Sequence, residues 1–175
     1  SEGRRPISGE WTRQGGGKNT DQNTYVCTML FQEDGVYKLS LNCTDKAGNQ
    51  TIYENDDVFV IDQTAPVIRV SYQEQTERTK GYYHKPRTAV ISIQEKNFRP
   101  EDVAIKITAV LDGEEQKAPE IGMFTSEGVD SETSSQNRER EAVHRATILY
   151  DKDGTYTFNV SYTDLAGNMA KEYPE

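Results

Sequence analysis

Residues that carry chemistry are scarce in this chain. Its 175 residues include two histidines, two cysteines and one tryptophan. No histidine lies near either cysteine in sequence, which leaves nucleophilic catalysis without a base. There is no glycine-rich phosphate loop and no zinc-ligand spacing. No apolar run approaches the roughly 18 residues of a membrane-spanning helix. Positive charge is also short: 20 Lys and Arg stand against 29 Asp and Glu, a net charge of −9. That balance denies nucleic acid the basic face its phosphates need, and the excess acid reads as solubility. No charged–apolar–small pattern opens the chain, so an export signal or wall anchor is expected outside this stretch. Helical periodicity is missing as well. The hydrophobic share is 34%, and it is spread through segments rich in Val, Ile, Thr, Tyr and Phe, which reads as an all-β chain.

What the chain does have is repetition. Residues 34–49 read DGVYKLSLNCTDKAGN and residues 153–168 read DGTYTFNVSYTDLAGN. The two align without a gap at an offset of 119, with eight of sixteen positions identical. A chain that repeats itself at domain spacing is an array. Within each copy Asp-Gly (Asp34 and Asp153 lead the two) opens a turn. A strand follows with period-two alternation. Tyr156, Phe158, Val160 and Tyr162 share one face in the second copy, and Tyr37, Leu39, Leu41 and Cys43 in the first. T-D-x-A-G-N then ends the strand in a polar loop. Asp-Gly-x-Tyr at such a strand start resembles the tyrosine corner of immunoglobulin-like sandwiches, where the Tyr37 and Tyr156 hydroxyls would bond back to backbone.

Cys27 and Cys43 stand nearly symmetrically about Asp34-Gly35, both with inward parity. Their second-copy equivalents, Ala146 and Tyr162, form a small–large pair. The two sulfurs are therefore expected to face each other and to bridge, with a gain of about 3 kcal/mol from loop closure. The alternative is two buried free thiols packing as small apolar groups.

Along the chain, residues 1–23 are Gly-rich and polar, and strands are expected at 24–31, 37–43 and 58–61. Three strands cannot close a sandwich, so residues 1–62 read as the C-terminal part of a first repeat whose open edge needs a cover. Residues 63–66 form a proline-stiffened joint. Residues 67–175 read as the second repeat, with the strand count of one sandwich but with part of its last strand expected to be missing; its strands are expected at 67–72, 88–93, 103–111, 144–150 and the motif strand. Residues 73–87 read as a polar connection, 97–102 and Asp112-Gly113 as turns, and 125–142 as a mobile polar loop.

D-G-x-Y, T-D-x-A-G-N and F-V-I-D-Q-T-A-P-V-I together resemble the bacterial immunoglobulin-like repeats of Gram-positive surface and secreted proteins, over about residues 24–170. The resemblance implies an all-β, immunoglobulin-like β-sandwich in tandem, the first copy partial. It implies an extracellular, cell-surface or secreted parent, and a non-catalytic spacer in an adhesin-type stalk. Its partners would be neighbouring repeats of the same parent chain, with a host glycan or protein as the further candidate. The competing readings are a glycan- or protein-binding module and an accessory domain of a secreted glycoside hydrolase or peptidase. Such modules serve many roles, so the resemblance fixes the module class and not the function.

Two site hypotheses accompany it. Related repeats hold calcium at their joints, which makes Asp62, Asp45 and Asp164 candidate ligands, since Ca²⁺ takes carboxylate and carbonyl oxygens. The alternative is that Asp45 and Asp164 cap their own loops. Tyr82, Tyr83 and His84 could form an aromatic platform for sugar rings, or tuck over the end of a sandwich. His144 reads as packing at a strand start.

Overall fold

The computed structural model describes residues 7–15, 24–73, 77–127, 142–170 and 173–174. The chain divides into two compact units, residues 1–64 and 65–175. The division falls inside the 63–66 segment. Among the described residues all regular structure is β, apart from a single 3₁₀ turn at Pro100–Asp102.

The first unit contains β1 (Ile7–Ser8), β2 (Thr12–Gln14), β3 (Thr24–Val26), β4 (Met29–Leu30), β5 (Gly35–Thr44) and β6 (Gln50–Ile61). They pair two by two, β1 with β4, β2 with β3 and β5 with β6. The strand expected at 24–31 is broken at Cys27-Thr28. There the Gly9 N–H donates to Thr28 O at 2.8 Å, so the backbone turns to meet an earlier segment. The strand expected at 58–61 is instead the end of a long arm that starts at Gln50. β5 and β6 form a ribbon with a bulge after Lys38. Phe31, Tyr37 and Phe59 cluster on it, with ring centroids 4.9 to 5.5 Å apart. Tyr37 is the only buried hydrophobic residue of this unit among those described. Farther along the same face Leu39 and Leu41 are 38% exposed. The expected inward face of the first copy is therefore buried at one position only, because no second sheet lies over it among the described residues.

The second unit contains β7 (Val67–Gln73), β8 (Glu77–Thr79), β9 (Tyr82–Tyr83), β10 (Arg87–Gln94), β11 (Val103–Leu111), β12 (Glu114–Gln116), β13 (Thr125–Glu127), β14 (Val143–Tyr150), β15 (Thr155–Tyr162) and β16 (Tyr173–Pro174). Two four-stranded antiparallel sheets result, ordered β13-β14-β10-β7 and β12-β11-β15-β16. Their inward faces share one core. Ile68, Ala89, Ile91, Ile93 and Ile148 come from the first sheet, and Phe158, Val160 and Tyr162 from the second. From Ala89 onward every second residue of β10 is buried, because the strand is paired on both sides, by β7 and β14, and faces the other sheet. Each of its fully buried isoleucines contributes roughly 1.5–3 kcal/mol of transfer free energy.

Two connections differ from expectation. The 73–87 segment is not a plain connection: β8 and β9 form a hairpin through Lys80-Gly81, with Gly81 at φ 82°. The 125–142 segment begins as β13, paired to β14, and its remainder, 128–141, lies outside the described residues. So does much of the polar 1–23 stretch, at 1–6 and 16–23.

Candidate functional site

The core of the second unit ends, toward the hairpin, in a rung of amphipathic side chains. Tyr72, Arg87 and Tyr150 share the inward parity of Ile68, Ala89 and Ile148, and Tyr156 that of Phe158. Large aromatic bodies seal the core here: Tyr150 is buried, and the Tyr72 and Tyr150 hydroxyl oxygens are both shielded from solvent. The Arg87 guanidinium carbon lies 3.4 Å from the Tyr72 ring centroid and 4.1 Å from that of Tyr83. A cation held between two aromatic faces gains from both ring quadrupoles. The stack ties the hairpin residue Tyr83 to the end of the sheet, while its neighbour Tyr82 stands 75% exposed. Tyr150 and Tyr156 meet edge to face at 4.9 Å. Around this rung opens a cleft of about 1050 Å³, walled by residues 81–87, 110–112 and 150–156 together with Tyr72.

Both motif tyrosines make the same corner. Tyr37 Oη donates to Glu33 O at 2.7 Å and Tyr156 Oη to Lys152 O at 2.8 Å. Each bond spans four residues and closes the turn ahead of its strand. Asp34 does more than open a turn. Its carboxylate accepts from Gln63 N at 2.9 Å and Thr64 Oγ1 at 2.5 Å, which fastens the last residues of the first unit to the start of β5. Asp153 lies in the wall of the cleft.

The two T-D-x-A-G-N loops are copies in geometry as well as in sequence. Asp45 Oδ1 accepts from Ala47 N and Asn49 N, both at 2.8 Å, and Oδ2 from Asn49 Nδ2 at 2.7 Å. Asp164 does the same with Ala166 N at 2.9 Å, Asn168 N at 2.8 Å and Asn168 Nδ2 at 2.8 Å. Gly48 and Gly167 both take φ 90°, a left-handed conformation that a Cβ would oppose. The Asn49 side-chain hydrogen bond, followed by that from the Asn49 backbone, holds the Asp45 carboxyl below its ordinary 3.8.

At the opposite end of the second unit His144 is buried. Its Nδ1 lies 2.8 Å from Ser126 Oγ and its Nε2 2.9 Å from Glu95 O. The Phe98 ring stacks on it at 4.1 Å. Glu95, also buried, accepts from Asn97 N at 2.8 Å. Burial pushes the Tyr162 phenol above its ordinary 10, against the pull of the Arg99 N–H that donates to it. These groups satisfy one another and close the end of the core.

No family model, curated protein or solved structure matches this chain.

Of the residues singled out from sequence, Tyr82, Tyr83 and His84 come together in the wall of the cleft. The calcium candidates Asp62, Asp45 and Asp164 each accept hydrogen bonds from their own stretch of chain. Asp45 and Asp164 turn their carboxylates onto their own loops, and Asp62 Oδ1 accepts from Thr64 N at 3.2 Å. No group of three or more His, Cys, Asp or Glu among the described residues is placed to share a metal ion. The expected Cys27–Cys43 bridge is absent, and both thiols are free. Cys43 is exposed far out on β5, where no facing sheet turns its parity into burial. Cys27 sits in the break between β3 and β4 with its thiol donating to Gly9 O at 3.1 Å. In the second unit their equivalents Ala146 and Tyr162 are both buried, so the small–large pair exists only where two sheets do. The residue that sequence reasoning missed is Arg87. Extending the alternation of Ala89, Ile91 and Ile93 back by one step places it on the inward face.

Proposed function

We propose that residues 65–175 form an immunoglobulin-like sandwich that serves as a non-catalytic structural module, and that residues 1–62 are the C-terminal part of a preceding repeat. The observation that carries this reading is strand order. Lettered in chain order, with β7 as A, β10 as B, β11 as C, β12 as C′ and β13 to β16 as D to G, the sheets run D-E-B-A and C′-C-F-G. Immunoglobulin-like sandwiches place A, B, E and D in one sheet and C, F and G in the other. Two tyrosine corners in corresponding motif positions add support. So do the matched aspartate loops, since one loop design used twice at domain spacing is what a tandem array leaves in a chain.

The polar side chains described above are largely spent on the fold itself, which suits a module whose work is mechanical and spatial. The setting, a stalk or spacer in a bacterial surface or secreted protein beside further repeats, rests on the motif resemblance alone. Pulling the whole chain from its two ends tests the mechanical role. Unit 65–175 should resist and then release in one step, lengthening the chain by roughly 350 Å, given about 3.3–3.6 Å per extended residue. Gradual extension at low force, with no discrete step, would sink the spacer reading.

A further inference from the structure

We infer that the cleft at the hairpin end of the second unit is a binding site for a neutral oligosaccharide. This goes beyond the structural role proposed above and does not depend on it. Three observations converge on it.

The first is the platform. Tyr82 lines the cleft with its ring 75% exposed. A solvated surface aromatic is unremarkable alone, but this one is mounted on a fixed base. Its neighbour Tyr83 stacks on the guanidinium of Arg87, which is itself held against Tyr72. A ring presented from a rigid support loses little conformational entropy when a ligand covers it.

The second is charge. The cleft wall carries Lys85, Arg87 and Lys152 against Asp112, Asp151 and Asp153. The signs cancel locally in a chain whose net charge is −9. Neither an anion nor a cation is selected by such a wall. A neutral ligand dense in hydroxyl groups is, because each hydroxyl can donate to a carboxylate and accept from an ammonium group.

The third is shape. The walls are strand ends and the turns that join them, at 81–87, 110–112 and 150–156. The volume, about 1050 Å³, lies just above the ~300–1,000 Å³ usual for small-molecule sites and admits more than one sugar ring. A pyranose combines the two chemistries on offer: an apolar C–H face to lie on Tyr82, and a rim of hydroxyls to meet the charged wall.

Saturation-transfer NMR on the full chain tests this, with trisaccharides of β-1,4-linked glucose, β-1,4-linked N-acetylglucosamine and α-linked mannose, and a sialylated trisaccharide as the acidic control. At least one neutral sugar should receive saturation at its ring C–H protons, with a Kd on the order of millimolar or tighter. Tyr82→Ala should weaken it about tenfold or more, and Asp153→Asn should weaken it as well. Tyr82 is solvated, so its removal leaves the fold intact. Tyr25→Ala, which removes an exposed ring of the first unit, should leave binding unchanged. Failure of every neutral sugar to bind overturns the inference. Binding of the sialylated sugar alone, or neutral binding that Tyr82→Ala does not weaken, overturns it equally.

Discussion

Two aspartates with the same neighbours carry different weight. Asp45 and Asp164 each accept three hydrogen bonds from identical loop positions, yet Asp164 is 6% exposed while Asp45 lies in open solvent. A donor left without its acceptor costs most where water cannot replace it. Asp164→Ala should therefore destabilise the second unit by about 1–3 kcal/mol, whereas Asp45→Ala should leave the first unit within about 0.5 kcal/mol. Scanning calorimetry of the two variants separates the cases, and equal losses would show that burial does not set the weight of the loop. At this scale the sequence was informative about bonding and silent about burial. An Asp followed by Ala-Gly-Asn announces a self-capping loop through local geometry alone. Whether that loop is covered depends on segments distant in the chain. The cysteines met the same limit: parity assigned Cys43 a face but could not supply a sheet to cover it.

Among elements, legibility followed pairing. β10 was expected at 88–93 and spans Arg87–Gln94, and β11 spans the 103–111 expected of it. Such strands read well because alternation over eight or nine residues is long enough to mark a strand that turns one face to a core. The β8–β9 hairpin was missed because strands of three and two residues leave no period to detect. The motif strands show that alternation is necessary and not sufficient. Leu41 and Val160 occupy the same position in the two copies, yet Leu41 is 38% exposed and Val160 is fully buried. Large-to-small substitutions should reproduce that contrast. Ile91→Ala, at a fully buried site in a strand paired on both sides, should cost about 2–5 kcal/mol. Leu41→Ala should cost about 1 kcal/mol or less. Urea denaturation followed by tyrosine fluorescence would check both, and comparable losses would mean that the ribbon face is covered in solution.

For the molecule as a whole, the two units should differ in how their stability is distributed. The second has one core shared by two sheets. The first has strands paired only two by two and, among the described residues, one aromatic cluster around Tyr37. A two-stranded ribbon is marginal by itself, since each strand leaves one edge to water and only one partner holds it. Backbone amides exchange through local opening, and opening is cheapest where few apolar contacts must be broken. Amides at 88–93, 104–109, 144–149 and 156–161 should therefore exchange most slowly. Those along 38–58 should exchange orders of magnitude faster, although most of them lie in the paired strands β5 and β6. Hydrogen–deuterium exchange with mass spectrometry resolves these segments directly. If 38–58 proves as slow as 88–93, the apolar face bearing Leu39 and Leu41 has found a cover, and sedimentation would then show whether a second copy of the chain supplies it. If it exchanges fast, the first unit contributes an open β surface, and the sequence motif it shares with the second unit marks where a facing sheet would have to come from.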